Sequence, residues 1–208
     1  MSKVVCIYPK DESTDFLLPL YEFLCDKGCD GWHKDSVGNE DEVYKLLKDA
    51  DHVIFLGHGS SNTLYGSPQH DELTVLISEG NIEKLLCGKK CFILACNSSQ
   101  FCERYTLTSS IGFGNMPTGI RDVKNAMEVD NNFPYLEKND IDIYNKALVS
   151  SLIGAFKIAW LSDMERLYSK IQFYANVEIV ECLIKRPCEM FREVADLIQD
   201  FKNDCKYY

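Results

Sequence analysis

The chain has 208 residues, a length that permits one large domain or two small ones with a sizeable core. Its hydrophobic share of 46% is ordinary for a globular protein. The formal net charge is −10 and the basic residues form no cluster, so we expect no nucleic-acid partner. The first residues form too short an apolar run for a signal peptide, and no apolar stretch is long enough to cross a bilayer. We therefore expect a cytoplasmic protein without a membrane partner.

Ten cysteines are a high number for this length. Without an export signal, we expect them to be reduced and mostly buried as small hydrophobic residues. Two pairs have a spacing of four, Cys25 with Cys29 and Cys87 with Cys91. Both pairs lack the CxxC spacing and the clustered histidines of structural zinc sites. We expect neither a metal nor another cofactor.

The first 120 residues alternate between strand-like and helix-like patterns. Short apolar runs rich in β-branched and aromatic residues predict five strands, at residues 3–8, 29–34, 52–57, 91–95 and 109–113. Stretches between them predict helices, at residues 16–27, 40–48, 71–78, 81–86 and 98–104. Alternation of this kind is typical of an α/β fold with a parallel sheet covered by helices on both faces.

The pattern changes after residue 120. Residues 120–140 are polar and are predicted to form a loop, with a break at Asn131-Asn132-Phe133-Pro134. From residue 140 onward the apolar spacing is helical, and Pro187 separates a last helix from the preceding ones. We predict one compact domain over residues 1–208, with an α/β core over 1–120 and a helical continuation packed on it over 140–208.

Two buried strands each end in a reactive residue framed by small ones. Val53–Leu56 leads into Gly57-His58-Gly59, and Cys91–Ala95 leads into Cys96-Asn97-Ser98-Ser99. Because ligands bind beyond the carboxyl ends of parallel strands, we expect His58 and Cys96 to emerge at one edge of the sheet. A thiol and an imidazole held together there are the parts of a cysteine nucleophile and its base.

The surroundings of both residues favour this chemistry. Cys96 precedes a predicted helix whose N-terminus would stabilise a thiolate, and its backbone N–H would face the same edge as an oxyanion donor. Glycines on both sides of His58 allow close approach to a substrate, and the Gly59 N–H is a second oxyanion donor. The alternatives are that Cys96 is another small core residue and that His58 is structural or solvated.

The sequences Leu56-Gly57-His58-Gly59 and Leu94-Ala95-Cys96-Asn97-Ser98 resemble the dyad motifs of the caspase-like cysteine peptidases, and are most similar to the CHAT-domain type. The resemblance runs from the first strand to the strand near residue 113. It implies a caspase-like three-layer sandwich with a mostly parallel central sheet, plus C-terminal helices. It also implies that Cys96 attacks a peptide carbonyl and that His58 protonates the leaving amine, with the Gly59 and Cys96 N–H groups as oxyanion donors.

Two features depart from the caspase pattern. Asn-Ser follows Cys96 in place of the Arg-Gly or Gly-Gly of caspase signatures. The histidine and the cysteine are 38 residues apart, fewer than the roughly 50 of caspases. These departures fit either a compact peptidase or a relative that keeps the fold without turnover.

An acidic loop follows the first strand. In the caspase-like family this loop contributes to the pocket for the residue before the scissile bond, so Asp11 and Asp15 are predicted substrate-binding residues that favour cleavage after Lys or Arg. The alternative is a solvated loop that caps the following helix. Residues 114–119 would form the other wall of the pocket or only a connection.

Two other functions compete with a peptidase that acts on peptides or proteins. One is a catalytically inactive caspase-like module whose helical end binds a regulatory protein or a second copy of the chain. The other is a TIR-like domain that cleaves NAD, indicated by the strand, Asp11–Phe16 and a helix ending at Lys27-Gly28, but leaving both dyad motifs unexplained. A reactive dyad predicts that Cys96 is the fastest cysteine to be alkylated at neutral pH.

Overall fold

The computed structural model describes residues 2–70, 72–130 and 133–208. Its strands are β1 (Val4–Ile7), β2 (Asp30–Trp32), β3 (His52–Leu56), β4 (Leu64–Gln69), β5 (Glu72–Ile77), β6 (Lys90–Leu94), β7 (Ser110–Gly112) and β8 (Lys206–Tyr207). Six of them form the central sheet in the order β2-β1-β3-β6-β7-β8, and β4 pairs with β5 separately. All pairings in the central sheet are parallel except that of β8, which runs antiparallel to β7.

A 3-10 helix at Glu12–Leu17 precedes the first α-helix. The α-helices are α1 (Leu18–Asp26), α2 (Glu40–Asp49), α3 (Ile82–Leu85), α4 (Ser98–Arg104), α5 (Ile120–Val129), α6 (Lys138–Ile158), α7 (Met164–Lys185) and α8 (Phe191–Asp204). The last three pack on one another and form the predicted helical continuation.

Two hydrophobic cores lie on opposite faces of the central sheet. Successive residues of a strand point to opposite faces, so Val53 and Phe55 of β3 enter one core while Ile54 and Leu56 enter the other. Helices α2, α3 and α4 cover the first face, and α1, α6, α7 and α8 contribute to the second. The result is a three-layer α/β sandwich with a mostly parallel sheet, which confirms the predicted fold class.

The predicted helix at residues 71–78 is wrong. Residues Glu72–Ile77 form β5, which pairs antiparallel with β4, and Asp71 lies outside the described residues. The Thr74 hydroxyl donates a hydrogen bond of 2.8 Å to the Ser67 carbonyl across this hairpin. Leu73 and Val75 of β5 are exposed, so this part of the strand forms through its pairing with β4 and without a buried apolar face.

The predicted loop at residues 120–140 is partly wrong. Residues Ile120–Val129 form α5, and the Asp122 carboxylate accepts a hydrogen bond of 2.9 Å from the Gly119 N–H at its start. This helix is polar on most sides and buries Val123, which explains why its apolar pattern is weak. Of the predicted break, Asn131 and Asn132 lie outside the described residues.

All ten cysteines are free thiols, and six of them are buried. Across the described ranges, no group of three or more histidines, cysteines and carboxylates is arranged to hold a metal ion. No helix within the described parts of the chain has the length and apolar character that a membrane span needs.

Candidate active site

The two reactive residues follow neighbouring strands at matching positions. Strands β3 and β6 are parallel neighbours, and Leu56 pairs with Leu94 at their carboxyl ends. The Gly57 N–H then donates a hydrogen bond of 3.1 Å to the Leu94 carbonyl. His58 and Cys96 each lie two residues beyond this last pair. The parallel register therefore brings both residues to the same edge of the sheet.

Both side chains line one cleft at this edge. The other side chains in the lining come from the 3-10 helix, the end of β6, the loop after β7 and α6, and they include Leu17, Met116 and Leu148. No hydrogen bond joins the two described side chains of His58 and Cys96, because each is bound to another partner. The cleft is thus lined by both a thiol and an imidazole, and each is hydrogen-bonded to a different loop.

The His58 side chain is held in place by residues of the loop after β1. Its Nε2 lies 3.0 Å from Asp11 Oδ2 and 2.8 Å from Ser13 Oγ. The Ser13 hydroxyl and N–H each donate to Asp11 Oδ1 over 2.9 Å. A carboxylate only accepts hydrogen bonds, so this network assigns a proton to Nε2 of His58. In the neutral imidazole, Nδ1 is then the nitrogen with a free lone pair.

The sequence analysis did not predict the contact between Asp11 and His58, and it identified no residue that orients the imidazole. One signal for it was present. Strand β1 lies beside β3, with Ile7 paired to Phe55, so the loops after these strands meet at the same edge. An acidic residue in the loop after β1 is therefore a candidate to reach His58.

The two predicted substrate-binding acids lie in different surroundings. The side chain of Asp11 is 12% exposed, accepts the bonds from Ser13 and contacts His58, and it also caps the 3-10 helix. Asp15 lies on the exposed surface of that helix and is not among the residues that line the cleft. The structure thus brings Asp11, but not Asp15, together with the two reactive residues.

The Cys96 thiol is bound to the loop after β7. Its Sγ donates a hydrogen bond of 3.6 Å to the Met116 carbonyl, a bond that requires the thiol proton. Burial raises the pKa of Cys96 above its usual value, and the Asp122 carboxylate raises it further. The net direction is thus opposite to the thiolate stabilisation that the sequence predicted from the N-terminus of α4. The structure therefore holds a protonated thiol at neutral pH.

The backbone around both residues is tightly packed. A Cβ added at Gly59 would lie 2.8 Å from Ala95 Cβ and 3.2 Å from the Cys96 carbonyl oxygen, so only glycine fits there. On either side of Gly59, the Ser60 N–H donates a hydrogen bond to the Thr63 carbonyl, and the His58 carbonyl accepts one from the Tyr65 N–H. Within the described parts of the chain, neither the Gly59 N–H nor the Cys96 N–H has a protein acceptor. Of the two, Cys96 lines the cleft, whereas Gly59 is not among the lining residues and packs against Ala95 and Leu64.

The chain was compared with known families and proteins. No family model, curated protein or solved structure matches it. The function is therefore argued from the residues and geometry of the cleft.

Proposed function

We propose that the chain is a cysteine endopeptidase of caspase-like type that uses Cys96 as nucleophile and His58 as general acid and base. The observation that carries this proposal is the register of β3 and β6, which brings His58 and Cys96 to one cleft. The orientation of the imidazole by Asp11 supports it further, since a nucleophile, a base and a group that orients the base form a recurring catalytic arrangement.

In the first step, Sγ of Cys96 attacks the carbonyl carbon of a peptide bond while its proton passes to Nδ1 of His58. The carbonyl π electrons move to oxygen, which becomes an oxyanion. When this intermediate collapses, the C–N bond breaks and the leaving amine takes the proton from His58. Water then attacks the thioester with His58 as base, and the acid product and the free thiol are released.

Two charges develop along this path, and the cleft has groups suited to each. We assign the oxyanion to the N–H groups of Cys96 and Gly59, which have no protein acceptor among the described residues, although Gly59 is outside the cleft lining and would have to reach it from the loop after β3. The Asp11 carboxylate, at 3.0 Å from Nε2, stabilises the imidazolium that forms when His58 accepts the proton. Before attack, the thiol must leave the Met116 carbonyl, so the loop after β7 shifts or the substrate displaces this bond.

The experiment is hydrolysis of fluorogenic peptides that carry Lys, Arg, Asp or an apolar residue before the reporter. Wild type is compared with Cys96→Ala and His58→Ala, and with the matched surface controls Cys87→Ala and His70→Ala, whose residues are exposed. The proposal expects turnover in wild type and in both controls, and loss of at least about 100-fold in both dyad variants. Peptide turnover that survives Cys96→Ala would contradict the proposal. The TIR-like alternative predicts cleavage of NAD, in place of peptide, that survives Cys96→Ala.

The second candidate is a caspase-like interaction module without turnover. The observation that favours it is the Cys96 thiol, which is bound to the Met116 carbonyl and has a raised pKa. A partner, either a regulatory protein or a second copy of the chain, would then carry the function. Absence of hydrolysis for every peptide by the wild type, together with no reaction of Cys96 with peptide-like electrophiles, would favour this candidate.

A further inference from the structure

The wall of the cleft beside Cys96 is apolar. Buried leucines and a methionine make up most of this wall, and Phe16 and Thr118 contribute to it from more exposed positions. The three leucines are Leu17, Leu94 and Leu148, each at most 2% exposed. Among the side chains that line this cleft, His58 and Cys96 are the titratable ones, and no carboxylate is present.

The nearest acid is already bound. Asp11 contacts His58, accepts two hydrogen bonds from Ser13 and is only 12% exposed, so little of its carboxylate is available to a substrate ammonium. Asp15 is exposed to solvent outside the cleft lining. Asp122 lies near enough to affect the Cys96 thiol, but its carboxylate is exposed and bonded to the Gly119 N–H.

A cationic side chain in this cleft would lose water without gaining a free carboxylate. Burying an unpaired charge is unfavourable, whereas an aliphatic side chain gains from the same burial. The free volume of the cleft is about 20 Å³, room for about one water molecule, so a substrate side chain enters only when the loop that holds Met116 moves away from Cys96. The buried leucines that this movement uncovers lie beside His58 and Cys96, so we assign the side chain they contact to the residue whose carbonyl is attacked.

We infer that this cleft selects an uncharged aliphatic residue, such as Leu or Val, before the scissile bond, and disfavours Lys and Arg. The inference rests on the proposed peptidase function. It differs from the preference for basic residues that the acidic loop predicted, because the structure engages Asp11 with His58 and leaves Asp15 outside the cleft lining.

The test uses the full chain and peptidyl acyloxymethyl ketones that carry Leu, Val, Lys, Arg or Asp beside the electrophile. The rate of covalent labelling is measured by intact mass, and peptide mapping locates the adduct. We expect labelling at Cys96 to be at least about tenfold faster with Leu or Val than with Lys or Arg. Equal or faster labelling by Lys or Arg overturns the inference but keeps the peptidase proposal. No labelling of Cys96 by any probe overturns both.

Two variants sharpen the test. Thr118→Asp adds a carboxylate at a half-exposed position of the lining. The change retains the hydrogen bond that the Asn145 side-chain amide donates to the backbone carbonyl of residue 118. We expect it to raise the ratio of Lys to Leu labelling by about tenfold or more. Asp15→Asn should leave that ratio within about twofold. An unchanged ratio in Thr118→Asp, or a clear fall in Lys labelling in Asp15→Asn, would contradict the inference.

Discussion

The imidazole of His58 and the carboxylate of Asp11 are in direct contact, with 3.0 Å between Nε2 and Oδ2. They are 47 residues apart in sequence and meet because β1 and β3 are parallel neighbours. The contact fixes the proton of the neutral imidazole on Nε2 and leaves Nδ1 as the basic nitrogen. In the proposed mechanism Asp11 is therefore a positioning residue, because it contacts His58 and would act on a substrate only through it.

Replacement of Asp11 by Asn removes the charge that stabilises the imidazolium but keeps the size of the side chain. We expect kcat for a cleaved peptide to fall about 10- to 100-fold while KM stays within about twofold. Asp11→Glu should recover part of the loss, and Glu12→Gln, which changes an exposed neighbour, should have little effect. A change in KM alone would show that Asp11 binds substrate instead of positioning His58.

Because the pKa of Cys96 is raised, we expect the rate of its alkylation to depend steeply on pH. Below that pKa the thiolate fraction rises about tenfold for each pH unit, so alkylation of Cys96 by iodoacetamide should still be increasing steeply between about pH 7 and 9. At neutral pH Cys96 should react more slowly than the exposed Cys87. This reverses the order that the sequence predicted for a thiolate stabilised by a helix. Mass spectrometry of tryptic peptides gives both rates, and a plateau for Cys96 already at neutral pH would contradict the buried, protonated thiol.

Gly59→Ala should disturb the junction between the two reactive residues. Its added methyl group would lie 2.8 Å from Ala95 Cβ, so the backbone on one side must shift. We expect a loss of about 1–3 kcal/mol in the free energy of unfolding, measured by urea denaturation. The control is Gly80→Ala, where no atom lies within 4 Å of the added carbon. Equal stability of the two variants would show that the loop after β3 adapts without cost.

Ser98 links the start of α4 to β6 and to the residue that follows β7. Its buried hydroxyl donates to the Ile93 carbonyl over 2.6 Å and accepts from the Phe113 N–H over 2.9 Å. Ser98→Ala leaves both backbone groups unpaired, so we expect about 1–3 kcal/mol of destabilisation together with reduced turnover, because Cys96 lies two residues away. Gln100→Ala, which changes an exposed side chain of the same helix, serves as the control. A neutral result for Ser98→Ala would mean that water or a shifted backbone replaces these bonds.

Much of the α/β core could be predicted because its signals are local. The apolar runs ending at Leu56 and Leu94 are buried on both faces, as their composition indicated, and their parallel pairing follows from the alternation with helices. The matching positions of His58 and Cys96 follow from that pairing. The local pattern was weaker for the β4–β5 hairpin, which contains Gly66 and Pro68, and for the largely polar α5.

The features that the sequence did not reveal depend on contacts between distant segments. Strand β8 has only two residues and exists through its pairing with β7, where Tyr207 lies opposite Ile111. The contact between Asp11 and His58 needs the neighbouring positions of β1 and β3 together with a particular side-chain orientation. The hydrogen bond from Cys96 to Met116 likewise joins residues 20 positions apart. Local patterns carry no information on such pairings.

The measurement that tests the central proposal most directly is detection of the acyl-enzyme. The protein is mixed with a peptide ester that has an aliphatic residue at the reacting carbonyl, quenched in acid within seconds, and analysed by intact mass and peptide mapping. The account predicts a thioester adduct on Cys96 that builds up and then hydrolyses, that is absent in Cys96→Ala, and that forms far more slowly in His58→Ala. Peptide ester hydrolysis that persists in Cys96→Ala, or the lack of any adduct on Cys96 in the wild type, would contradict it.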